Sequence, residues 1–257
     1  MEKIKEKLYE EPFNSSVAGD LKTVSGLSRE KVVELFNSIY STNNMMFCAV
    51  GKAEWEEVLE EANKFPKINK KINSIPIRLK NGSLIEKRKG IDQAHEVLGL
   101  HMPKLTDKNR YAAEIFDSIL GGGMSSRLFQ EVREKRGLCY AIKTNLEQSR
   151  DYSYEVIYSG TTKEKVEEIK EIVLKEIKKL KDLEQKDFDE TKETLIGLKQ
   201  LNKEKCDSTM IDLLQEELGG NAENYYNYEE EINKVKLEEV KQLSKLKGYS
   251  FVALLPG

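Results

Sequence analysis

His95 and His101 are the only histidines of the chain, and they lie close together in DQAHEVLGLHMP. Helical zinc-peptidase motifs set two histidines four residues apart on one helix face, with a glutamate as base. Here the spacing is six, in a β-compatible run ended by Pro103. Along a strand six residues span about 20 Å, far beyond shared ligation of one ion at ~2 Å. The pair reads as two ordinary strand histidines. Cysteine supplies no substitute. Cys48, Cys139 and Cys206 are 91 and 67 residues apart, which excludes a CxxC motif and gives no disulfide framework. A reduced, cytoplasmic setting is the expectation. Cys139 reads as a packing residue, because no base or cationic helix end beside it would activate the thiol.

Arginine is more informative. Only eight of the 42 basic residues are Arg, and Arg110, Arg127, Arg133, Arg136 and Arg150 fall within one 41-residue stretch. Arginine grips carboxylates and oxyanions with a planar fork, while lysine mainly serves solubility. Such a cluster marks either a binding site or a few interhelical ion pairs. Its centre, LGGGMSSRLFQEVREKRGLCY at 120–140, has a glycine triplet before a helix. That could pass for a phosphate loop, but the GxxxxGK[ST] lysine is missing and a GxGxxG would need Gly where Ser126 stands.

The elements that must position these residues follow from periodicity. Ser28 can cap a helix over 28–40 with Val32, Leu35, Phe36 and Ile39 on one face. Met45–Val50 reads as a short apolar strand, and 53–65 as an amphipathic helix with Trp55, Val58, Leu59 and Ala62 on one face. Pro66 to Gly82 is Lys- and Pro-containing and aperiodic, the chain's best linker. Strands are predicted near 83–89 and 93–102, then a helix capped by Asp107 that stops at Gly121-Gly122-Gly123. A short helix with Leu128, Phe129 and Val132 inward ends at Gly137, before strands at 138–145 and 152–159. Helices over about 163–181, 186–203, 208–218, 223–235 and 238–247 precede a last strand at 250–255.

That last helix and strand echo an earlier pair. Val32 and Leu35 align with Val240 and Leu243 at an offset of 208, and Gly51 with Gly257 at an offset of 206. Helix–strand pairs are common, so the repeat is suggestive only. Taken at face value, it predicts that a first domain lacks roughly its leading 120 residues.

Composition closes off other classes. With 39% hydrophobic residues the chain can build a core, and a net charge of −3 provides no field for nucleic acid or anionic membranes. No apolar run reaches the ~18 residues of a membrane span.

The segment 120–140 closely resembles the C-terminal domain signature of the pitrilysin/insulinase family of zinc metallopeptidases, which includes the mitochondrial processing peptidases. More weakly, the stretch from YEEPF to Gly51 resembles the latter part of the family's N-terminal domain. The resemblance implies a clamshell of α+β domains, each a mostly antiparallel sheet with helices packed on one face. It divides the chain into 1–66, the latter part of an N-terminal domain; 67–82, a linker; and 83–257, a complete C-terminal domain. It implies zinc in the complete enzyme, held by an HxxEH motif and a distal Glu. This chain has no HxxEH, so no metal ligand is assigned and no cofactor is expected on it. The resemblance places the family's catalytic Arg and Tyr on Arg133 and Tyr140. Arg133 would hold a substrate carbonyl and Tyr140 would donate to the oxyanion; without the resemblance, Tyr140 reads as a half-buried strand tyrosine. Gly121, Gly122 and Gly123 are assigned to the substrate side, where glycine permits close approach or a bend.

The function implied is the C-terminal portion of a zinc peptidase that hydrolyses peptides bound in extended form. Its expected partners are peptide substrate, a zinc-bearing N-terminal portion or partner subunit, and a second copy of itself in a homo-oligomer. Two alternatives stand beside it: a non-catalytic partner subunit or peptide-binding scaffold of the same family, and a stand-alone α+β binding module.

Overall fold

A computed structural model describes residues 2–72 and 74–257; Met1 and Asn73, the latter inside the expected linker, lie outside the described residues. Five strands form one sheet: β1 (Ser83–Arg88), β2 (Ala94–His101), β3 (Cys139–Gln148), β4 (Ser153–Thr161) and β5 (Ser250–Pro256). Their order is β1-β5-β2-β4-β3. Only the β1–β5 pair is parallel. The last strand therefore inserts between the first two, and β3 lies at a sheet edge.

Alternation along the strands decides what each face carries. Ala94, Leu98, Leu100, Ile142, Ile157, Phe251 and Ala253 face the main helix layer and are buried there. That layer holds α5 (Arg110–Gly121), α6 (Val166–Lys179), α7 (Gln185–Asn202), α9 (Tyr228–Lys234) and α10 (Leu237–Leu243), with α8 (Cys206–Gly219) beside it. In α6 the buried residues Val166, Ile169, Val173 and Ile177 step by three or four, so one stripe meets the sheet while Lys and Glu meet water. Asp107 does not cap α5 directly. Its carboxylate accepts from the Asn109 N–H, and the helix starts one residue later.

The opposite face is also apolar, at Val97, Tyr154, Val156 and Val252, and α1 (Glu2–Leu8) covers it with Ile4, Leu8 and Tyr9. Gly99 makes this contact possible, because a Cβ there would lie 2.8 Å from Ile4. Residues 8–10 and 78–80 then pair as a short bridge.

Residues 14–72 contain α2 (Leu21–Ser25), α3 (Arg29–Ile39) and α4 (Trp55–Asn63), none with a buried residue. Ser28 caps α3 as expected. The strand expected at Met45–Val50 does not form. A strand needs a hydrogen-bonded neighbour, and among the described residues no backbone bond joins 45–50 to another segment. The start of the expected linker is tied down, since Thr42 and Asn43 exchange hydrogen bonds with Ile68 and Lys70.

Candidate functional site

Helix α5 runs into the glycine triplet at the helix-facing side of β3. A Cβ on Gly121 would fall 2.3–2.8 Å from the Thr144 side chain, and one on Gly122 would meet Ser118 at 2.6 Å. These two glycines let α5 touch the edge strand and bend away. Gly123 has φ +137° and open space around its Cα. The Ser126 hydroxyl then donates to the Gly123 carbonyl at 2.6 Å.

Beyond Leu128 the chain makes a π-helical turn, Phe129–Glu134, whose i→i+5 bonding continues to Lys135 N–H. The turn was unforeseen from sequence; such widened turns gather at functional sites because they displace one side chain from helical register. Leu128 and Val132 anchor it in the core. Arg133 points outward, its guanidinium 4.8 Å from the Phe129 ring. Gly137, at φ +59°, reverses the chain into β3.

At the start of β3 the pairing with β4 slips between Cys139 and Ala141, so Tyr140 sits on a bulge and is 70% exposed. A bulge re-aims a side chain and ends regular pairing. Arg133 and Tyr140 thus both reach solvent at one corner, where the free edge of β3 begins. The half-buried Tyr140 that the bare sequence suggests is corrected by this bulge.

The other arginines divide cleanly. Arg110 is buried against Glu216 at 2.6 Å, Arg127 faces Asp187 at 3.5 Å, and Arg136 faces Glu131 at 3.2 Å. These are ion pairs, the second of the two roles that the arginine cluster allows. Arg150 lies in the β3–β4 turn, at the far end of the hairpin. Among the described residues, Arg133 has no carboxylate within 4.0 Å. Its surroundings are basic: Lys135 and Arg136 hold Glu131, whose carboxyl is drawn below the usual range chiefly by the Lys135 hydrogen bond. Lys165 donates to the Gly137 carbonyl. The corner can donate hydrogen bonds to carbonyl oxygens, and the β3 backbone can pair with an extended chain.

Behind the corner, Cys139 is buried and its thiol is pushed up mainly by burial, so it packs as expected. Two buried carboxyl groups, Glu96 and Glu155, and a half-buried third, Glu114, escaped the sequence reading. Glu96 on β2 is 3% exposed with both oxygens unpartnered, and burial pushes it up to about 8. Glu155 on β4 is fully buried; burial, then the adjacent Asp117, raise it well above the ordinary value. Glu114 is raised to about 7 by burial and bonds the Tyr228 hydroxyl. The signal for Glu96 and Glu155 was present, since alternation puts both on the helix-facing side.

The histidines use their rings locally: His95 Nδ1 meets the Tyr158 hydroxyl at 2.8 Å, and His101 Nε2 the Lys80 carbonyl at 3.0 Å. Among the described residues, no three His, Cys, Asp or Glu side chains gather to hold a metal. The described residues of this chain do not fit a zinc site.

Residues 26–195 match the family signature described as the Peptidase M16 inactive domain. The chain belongs to the M16 peptidase family. This is the pitrilysin/insulinase family that the 120–140 segment resembles. Among its relatives is an uncharacterized zinc protease of Rickettsia felis, 28% identical over 184 residues that cover 68% of this chain and 43% of that protein. The chain spans about half the length, or less, of the curated relatives it first matches. A protease from Helicobacter pylori superposes with TM-score 0.86 at 17% identity, covering 99% of this chain and 65% of that one. The peptidase M16 inactive domain from Pseudomonas fluorescens gives 0.82 at 20% identity, covering 100% and 64%. At those identities the likeness is one of fold, and the α+β, mainly antiparallel architecture of this M16 chain is the one expected. Several relatives carry the name zinc protease, which supports zinc in the family.

Proposed function

We propose that the chain is the substrate-holding C-terminal part of a zinc-dependent peptidase and acts when a zinc-bearing portion or partner subunit is supplied. One observation carries the reading. Arg133 and Tyr140 stand exposed together at the start of a free strand edge, and Arg133 lacks the acidic partner that its neighbours have. In this reading an extended peptide lies along the edge of β3. Arg133 holds one of its backbone carbonyls, and the Tyr140 hydroxyl donates to the oxygen that gains charge when the bond is attacked. Of the glycine triplet, Gly123 alone has open space on the substrate side, while Gly121 and Gly122 seat α5 against β3 and Ser118. The domain division at 67–82 belongs to the same proposal, with α1 reaching back onto the later domain. So does a cytoplasmic setting, supported by three unpaired cysteines; no helix among the described residues is long and apolar enough to cross a membrane.

The test is reconstitution. Alone, the chain should bind less than stoichiometric zinc by elemental analysis and cleave no peptide. With an HxxEH-bearing M16 chain, cleavage should appear, and Arg133→Ala or Tyr140→Phe should slow it by roughly ten-fold or more, as loss of an oxyanion donor does. The description of the matched domain as inactive suits a second reading equally, a non-catalytic subunit or peptide-binding scaffold. Wild-type rates from both variants would decide for that reading.

A further inference from the structure

Strand β3 carries two charged side chains, Lys143 and Glu147, and the fold treats them oppositely. Glu147 is satisfied: it accepts from the Tyr152 and Tyr154 hydroxyls and pairs with Lys5 of α1. Lys143 is exposed, and among the described residues it has no carboxylate within 4.0 Å. Register puts it opposite Tyr158 of β4, on the sheet face that α1 covers further along. Its neighbours on that face of β3, Ala141 and Asn145, are uncharged. Glu86 of β1, which register places on the same face, is held by Lys3 at 3.6 Å. The Lys143 ammonium lies 5.7 Å over the Tyr158 ring. That ring is itself fixed. Its hydroxyl meets His95 Nδ1 at 2.8 Å and passes over Gly160, where a Cβ would come within 3.1 Å. On its other side Lys143 faces the free edge, where the described chain adds no strand beyond β3.

We propose that Lys143 is a specificity-determining residue for the extended peptide on the β3 edge, and that it selects an acidic side chain, Asp or Glu. This rests on the reading that the edge of β3 holds the peptide, and it names the substrate class. A strand added at an edge alternates its side chains between the two faces, so every second peptide residue shares the face of Lys143. The residue directly opposite has its Cβ about 4.5–5.5 Å from that of Lys143. At that spacing a carboxylate accepts a charge-assisted hydrogen bond from the ammonium, whereas a second cation is repelled. Leaving the Tyr158 ring costs the ammonium little, since a cation–π contact at an exposed site is weak. Its pose over the ring also holds the side chain on the sheet, so less freedom is lost when a carboxylate arrives. On the other face β3 offers Ile142, Thr144 and Leu146. None is charged, so selection by charge is confined to one side. Tyr140, where the bond is attacked, precedes Lys143 by three residues, roughly 10 Å along a strand. The acidic residue therefore lies about three positions from that bond.

The probes are three blocked heptapeptides, rich in threonine, that differ only in a central Glu, Gln or Lys. Binding to the full chain is read from the NMR shifts of the amides of residues 141–147. The Glu peptide should bind about three-fold more tightly than the Gln peptide and about ten-fold more tightly than the Lys peptide, as a cross-strand ion pair allows. The margin should shrink in about 0.5 M salt. Lys143→Glu should reverse the order of the Glu and Lys peptides, and Lys143→Arg should preserve it. Lys175→Glu makes the same charge change on the solvent side of α6. It should leave the order as it is, which separates local from overall charge. Equal binding of the three peptides, with the β3 amides still shifting, overturns the inference and leaves the peptide edge standing. A preference for Glu that survives Lys143→Glu and disappears in Arg133→Ala overturns it too, because the acidic contact would then belong to Arg133. Shifts from none of the peptides would sink the edge reading and this inference with it.

Discussion

Glu96 occupies a position that its strand neighbours give to Ala94, Leu98 and Leu100, facing the helix layer with neither carboxylate oxygen bonded. Burying a charge without a partner costs several kcal/mol, so the group holds its proton, and its value rises from 4.5 to about 8. Glu114, at about 7, and Glu155, raised well above the ordinary value, shift the same way for the same first reason, burial. For an acid raised on folding, the folded state binds more protons between the two values. Stability is then greatest below about pH 4.5 and is lost as pH climbs through 7 to 8. Each group can add a slope of up to about 1.4 kcal/mol per pH unit over that window. Urea unfolding at pH 5, 6.5 and 8 should show stability falling, and Glu96→Gln should flatten part of the fall. A Glu96→Gln variant with an unchanged slope would mean that the carboxyl is ionised and solvated in the native chain.

Among the elements, α5 and α8 are joined by one buried ion pair. Arg110 and Glu216 are each about nine-tenths buried, and Arg110 also bonds the Tyr111 hydroxyl and the Leu105 carbonyl. Removing one partner strands the other charge, at a cost of about 3–5 kcal/mol, whereas replacing both by apolar groups is nearly neutral. Glu216→Ala should therefore lower the urea midpoint markedly, and Arg110→Met with Glu216→Leu should recover most of it. Elements like these also show what the sequence made legible. Helix stripes such as Val166–Ile177, the Ser28 cap and the glycine stop after α5 are local signals, and they stand where periodicity puts them. Arg133 and Tyr140 could be named only through resemblance, and their shared corner depends on a π-turn and a bulge that no residue pattern announces. Glu155 meets Asp117 across a separation of 38 residues that only the fold closes. Met45–Val50 differs for another reason: its residues are strand-forming, but a strand also needs a second segment in register, and among the described residues none bonds to it.

At the scale of the molecule the chain holds two kinds of territory. Residues 83–257 surround one sheet with a continuous core, and α1 seals the sheet's far face through Ile4, Leu8 and Tyr9. Between them, 14–72 form helices whose apolar sides face water, so their opening costs little apolar burial. Local opening free energy follows such burial, and cleavage by a protease follows local opening. Trypsin should therefore cut first within 22–71, at Lys22, Lys31, Lys64 and Lys67 among others, and leave the 83–257 body whole. Because α1 is buried on β2, β4 and β5 and bridged through Tyr9 to Leu79, the first fragment should stay bound to that body through gel filtration. Replacing Leu8 by Asp should release it, since the aspartate would carry an unpaired charge into that cluster. Mass spectrometry of early digests reads both outcomes. Equal cleavage rates along the whole chain would show that 14–72 is as firmly held as the body, and co-elution lost in the wild type would show that α1 does not seal the sheet.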